Sequence, residues 1–136
     1  MKIKELWHRL GSPRWLFEYS GKFVGFFGVG ALILLVVGFI WGLLIAPADY
    51  QQGNSYRIIY LHVPVAFLAQ ALYAAMAVCA VVLFVWKMKL ADVAMQSIAV
   101  MGLAFTALSL ISGAVWGKPT WGTYWVWDAR LTSMLI

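Results

Sequence analysis

Two features of the sequence are suited to chemistry. The first is the run Trp116-Gly117-Lys118-Pro119-Thr120-Trp121-Gly122-Thr123-Tyr124-Trp125-Val126-Trp127-Asp128-Ala129-Arg130, which holds four of the eight tryptophans within 12 residues. Broad flat indoles suit a broad flat ligand through stacking and apolar contact. Lys118 and Arg130 suit carboxylates carried by such a ligand. Gly117 and Gly122 leave room for close backbone approach. If the chain is helical after Gly122, then Trp121, Trp125 and Asp128 share one face at i, i+4 and i+7. The competing reading is an interfacial aromatic belt. A belt accounts for Trp41, Trp86 and Trp116, each at the end of an apolar stretch, and less well for four indoles together. The residue types alone leave both readings open.

The second feature is His62, which lies outside the basic tail that carries His8. Neutral imidazole is a common ligand of haem iron. The plainer alternative is a polar tip wetted at a membrane surface. Asp128 suits a helix cap, an ion pair with Arg130, or direct contact with a ligand. The sequence offers no Ser/His/Asp set, no glycine-rich phosphate loop and no pair of carboxylates on one side. No catalytic constellation is visible in these residues. The single cysteine, Cys79, excludes a disulfide framework and a cysteine-pair metal site. The missing C-x-x-C-H motif excludes a c-type cytochrome.

The elements that must position these residues follow from charge and hydropathy. The chain is 64% hydrophobic and 11% charged, against about half and a quarter in soluble domains. Phe23–Ile45, Val63–Trp86 and Val93–Trp116 carry no charged residue over 23, 24 and 24 positions. A helix needs about 20 apolar residues to cross the hydrocarbon layer. Three spans are thus expected at 23–45, 63–86 and 93–116, with a fourth opening at Leu131. The expected fold class is all-α, a polytopic transmembrane helical bundle. It forms one integral membrane domain over 1–136: a tail at 1–22, an outer loop at 46–62 and an outer tryptophan-rich segment at 117–130. Six residues from Leu131 do not make a span, so the sequence is expected to be an N-terminal part of a longer chain.

The net charge of +5 is concentrated ahead of the first span, at Lys2, Lys4, Arg9, Arg14 and Lys22. This juxtamembrane pattern suits the lipid bilayer rather than nucleic acid. Leu6, Trp7 and Leu10 suggest a short helix on the cytoplasmic surface. A cytoplasmic N-terminus puts these bases with Lys87 and Lys89 inside, and leaves Arg57, Lys118 and Arg130 outside. His62 and the tryptophan segment then face outward together. Pro64 is expected at the first helical position, with His62 just before the helix starts. Gln96, Ser97, Thr106, Ser109 and Ser112 are mild polar residues able to bond across helices. Haem b inside the bundle would need histidines within the spans, and there is none between Val63 and Trp116.

Trp121-Gly122-Thr123-Tyr124-Trp125-Val126-Trp127-Asp128 resembles the tryptophan-rich signature of the haem-handling proteins of cytochrome c biogenesis. With Ser112–Pro119 before it, Ala129–Thr132 after it and Tyr60-Leu61-His62-Val63-Pro64, the chain resembles the cytochrome c maturation protein C, or haem exporter protein C, family. The resemblance runs over essentially the whole chain. It implies six spans in the bacterial inner membrane and haem b held as transported ligand at the periplasmic face. It implies delivery to a membrane-tethered haem chaperone, with a small single-span subunit and the membrane and ATP-binding subunits of an ABC transporter. By position, His62 matches an axial ligand of the haem iron. Trp116, Trp121, Trp125, Trp127 and Asp128 match platform and chaperone-contact residues. Lys118, Arg130 or Arg57 is expected to neutralise the propionates. The family's second outer histidine lies in a later loop than this sequence reaches. The alternative reading is a structural membrane subunit of an ABC-type transporter complex, with the tryptophans as interfacial anchor.

Overall fold

The computed structural model describes residues 12–136. The surface helix expected around Leu6, Trp7 and Leu10, and His8 with it, lies outside the described residues. Helix α1 (Pro13–Phe39) starts on a proline in its first turn, where the missing N–H has no intrahelical partner to lose. It continues into a π-helical segment, Ile40–Ile45. A 3-10 turn (Asn54–Ile58) leads into α2 (Ile59–Trp86), followed by α3 (Lys89–Trp121) and the short α4 (Ala129–Leu135). Among the described residues the only β pairing is an isolated bridge between Asp49 and Gly53. This is an all-α bundle with three helices long and apolar enough to cross a membrane.

The helices overrun the charge-free stretches. α3 has 33 residues, roughly 50 Å at 1.5 Å per residue, against roughly 30 Å of hydrocarbon. It therefore carries Gly117–Trp121 beyond the apolar stretch that ends at Trp116. Pro64 is also not the first helical residue. α2 begins at Ile59, so His62 sits inside its first turn and Pro64 lies within the helix. The preceding 3-10 turn extends the helix backward, which the proline position alone did not indicate.

Packing is concentrated between α2 and α3. The buried apolar residues there are small, Val65, Ala69 and Ala91, as suits closely approaching helices. α1 has no buried residue and meets α2 at its π-helical end. There Gly42 lies against Tyr60, where an added Cβ would stand 2.7 Å from the Tyr60 Cβ. Arg57 fastens the same junction: its Nε donates to the Ala46 carbonyl at 3.0 Å and its Nη1 to the Leu43 carbonyl at 3.3 Å. Up-down-up topology brings the end of α1, the 46–58 loop, the start of α2 and the end of α3 together at one end of the bundle.

Candidate functional site

At that end, His62 on α2 faces α3. Its Nδ1 lies 3.0 Å from the Ser112 Oγ, and its ring meets the Trp116 indole edge-on at a centroid distance of 5.7 Å. Gly113 supplies the clearance, since a Cβ there would stand 3.0 Å from the His62 Cε1. Trp116 is fixed in turn: its Nε1 donates to the Gln52 Oε1 at 2.9 Å, tying α3 to the 46–58 loop. The loop is itself ordered by Asp49, whose Oδ1 accepts from the backbone N–H groups of Gln51 and Gln52.

α3 stops at Gly122, whose φ of 80° is left-handed and whose N–H closes on the Lys118 carbonyl. Glycine takes that conformation without a Cβ penalty. The chain then runs non-helically to Asp128. The shared helical face for Trp121, Trp125 and Asp128 is therefore not formed, because Trp121 is the last residue of α3 and Trp125 stands in the following loop. Trp125 and Trp127 meet edge to face at 5.3 Å. Thr123 steadies the turn through its hydroxyl, which donates to the Trp125 carbonyl at 3.1 Å.

Asp128 is both cap and ion-pair partner. Its Oδ1 accepts from the Leu131 N–H at 2.8 Å, and its Oδ2 accepts from Arg130 Nε and Nη2 at 3.1 and 2.7 Å. The Leu131 N–H, and after it the Arg130 guanidinium, hold the Asp128 carboxyl below the usual carboxylate range. Arg130 also lies over the Trp121 ring at 5.6 Å. Lys118 donates to the Gly122 carbonyl and lies over Tyr124 at 5.1 Å.

These residues bound a groove of about 460 Å³ lined by Gln52, His62, Trp116, Trp121, Asp128 and Arg130, among others. A smaller hollow of about 200 Å³ beside it is lined by Trp121, Trp125, Asp128 and Arg130, with Tyr124. Small-molecule sites run from about 300 to 1,000 Å³. Of the residues singled out from sequence, His62, Trp116, Trp121, Trp125, Asp128 and Arg130 line these two spaces, and Trp127 and Lys118 line neither. Trp127 is 75% exposed. Arg57 is committed to the carbonyls at the end of α1. Gln52, Ser112 and Gly113 were not singled out as site residues; Ser112 stood out only as one of several mild polar residues able to bond across helices.

The family model described as "Heme exporter protein C" matches residues 6–136. The chain belongs to the haem exporter protein C family. Within the family, it is 52% identical over 129 residues to Heme exporter protein C of Escherichia coli (strain K12), covering 95% of this chain and 53% of that protein. It is also 52% identical over 129 residues to Heme exporter protein C of Haemophilus influenzae, covering 95% and 52%. A ccmC-like mitochondrial cytochrome c biosynthesis protein of Marchantia polymorpha is 45% identical over 111 residues, covering 75% and 49%. The chain thus spans about half the length of the curated relatives it matches. Its long apolar helices and its family make it a membrane protein.

Proposed function

We propose that this haem exporter protein C family member is a haem-handling component of bacterial cytochrome c maturation. It holds haem b, its cargo, at the periplasmic face of the inner membrane and passes it to a membrane-tethered haem chaperone. The N-terminus is cytoplasmic, as the basic tail argues. A small single-span subunit and the membrane and ATP-binding subunits of an ABC transporter complete the assembly, and any ATP hydrolysis belongs to them. The chain itself works as a carrier. The relatives' names support this reading.

The observation that carries it is the groove in which His62, Trp116, Trp121 and Arg130 meet. The donor set fits haem. An imidazole lies at one wall for iron, indoles offer apolar surface to the porphyrin, and a guanidinium lies at the rim for a propionate. In the smaller hollow beside the groove, the Trp125 Nε1 is buried without a partner, and an unsatisfied buried donor costs about 1–3 kcal/mol. A ligand oxygen at this wall would remove that cost. Bound haem supplies the iron and the carboxylates, while the protein supplies ligation, apolar cover and charge. The groove is open, as suits cargo that must leave.

The test is the visible spectrum of the full-length protein, purified with its partners in detergent and supplied with haem. Wild type should show a Soret band that weakens or shifts in both His62→Ala and Trp125→Ala. Wild type that takes up no haem would refute the carrier reading and leave the tryptophans as a membrane anchor.

A further inference from the structure

The His62 ring is held by a group whose proton count decides which nitrogen is free. The Ser112 hydroxyl is 3.0 Å from the His62 Nδ1, 2.7 Å from the Leu108 carbonyl and 3.2 Å from the Ser109 carbonyl. It carries one proton. The short contact to Leu108, four residues back on α3, is the back-bond that serines make inside helices. With its proton directed there, the oxygen has only lone pairs left for His62. The contact at Nδ1 is then a hydrogen bond only if Nδ1 carries the ring proton.

We infer that Ser112 is the positioning residue that sets the tautomer of His62: the Ser112 Oγ accepts from Nδ1–H, which leaves Nε2 deprotonated with its lone pair free for a metal. The inference rests on reading His62 as the iron ligand. Metal-bound histidines generally donate their second ring N–H to an oxygen, which fixes tautomer and orientation and raises basicity. The burial is consistent with such a role. Ser112 is 9% exposed and Ser109 4%, the two buried polar side chains among the described residues. Gly113 and Trp116 confine the ring from other sides, so a rotated imidazole has little room. Two turns of α3, from Ser109 to Trp116, therefore act as a socket for a side chain on α2.

The reverse arrangement, with Ser112 donating to Nδ1, would place the ring proton on Nε2 and block ligation there. The two arrangements are distinguishable without haem. Full-length protein with ring-nitrogen-15 histidine is studied in detergent by NMR, with His62 assigned through signals lost in His62→Gln. Wild type should show a protonated Nδ1 and an unprotonated Nε2. Ser112→Ala, a near-isosteric change, should give a mixture of tautomers, and Ser112→Thr should restore the wild-type pattern. Haem titration followed at the Soret band should then show about 10–100-fold weaker binding in Ser112→Ala, the range for lost partners of metal-bound histidines, with recovery in Ser112→Thr. A proton on Nε2 in wild type, or an unchanged pattern in Ser112→Ala, would overturn the inference. If the tautomers behave as expected but His62→Gln binds haem as tightly as wild type, the haem site falls while the Ser112–His62 pairing stands.

Discussion

Helices α2 and α3 run side by side, and their two ends are built differently. At one end they are joined by Lys87 and Met88 alone, with Lys87 in the left-handed conformation at φ 55°. Polar side chains near this end bond within their own helix: Gln96 donates to Asp92 and Ser97 to the Val93 carbonyl, each four residues back. At the other end no short connection exists, and side chains make the join. His62 meets Ser112 across 50 residues of sequence, and Trp116 meets Gln52 across 64. A short connection holds two helices together without specifying what faces what. A pair of long-range hydrogen bonds fixes rotation and register as well. The end that lacks a covalent constraint is therefore the end with a defined arrangement of side chains, and it is where the groove lies.

This contrast can be broken from either side. The largest effect is expected at the cross-helix wall. Gly113→Ala brings a Cβ to 3.0 Å from the His62 Cε1, so the ring has to give by a few tenths of an ångström in a confined space. Haem uptake, measured at the Soret band, should fall at least several-fold while the protein still elutes as a folded species. Trp116→Phe should come next. It removes the N–H that reaches Gln52 and costs about 0.5–1.5 kcal/mol, typical of one hydrogen bond. A double-mutant cycle with Gln52→Ala in reversible detergent unfolding should return a coupling of that size, and strictly additive effects would show that the tie is not formed.

A smaller and more local effect is expected at Asp128. Its carboxyl is held below the ordinary range by the Leu131 N–H and Arg130. The cap is therefore in place above the unfolded-state pKa and is lost as pH falls through the lower folded value. Amide exchange at Leu131 should be protected at neutral pH, and Asp128→Ala should abolish that protection with little change elsewhere. The smallest effect is expected at the opposite end. Gln96→Ala breaks a contact confined to one helix and should leave haem uptake at the wild-type level.

The same contrast explains what could be read from sequence. Three charge-free stretches announced three membrane helices, since a missing charge over more than 20 positions is a local property. Asp128 as cap and as partner of Arg130 was legible for the same reason: both contacts lie within three residues. Ser112 was visible only as one of several mild polar residues on a span. Which of them crosses to a neighbour depends on the rotation of α3 against α2, which neither helix encodes alone. Thus the Ser97 and Ser112 hydroxyls both turn back on their own backbone, and Ser112 also meets His62 on the neighbouring helix. The helical face expected after Gly122 failed because a glycine past the last helical residue is itself a stop, and the spacing of the tryptophans outweighed that signal. Arg57, one of three bases considered for the propionates with Lys118 and Arg130, is held instead by carbonyls at the end of α1, at and just after the π-helical turn Ile40–Ile45.

The most direct test of the central claim, that the groove holds haem through His62, is chemical rescue of the ligand. The full-length protein carrying His62→Gly would be purified with its partners, supplied with haem, and titrated with imidazole while the Soret band is followed. Imidazole entering the space left by the ring should restore a histidine-ligated spectrum in His62→Gly and change wild type little. A His62→Gly protein that binds haem with the wild-type spectrum before any imidazole is added would contradict the account and move the iron ligand elsewhere.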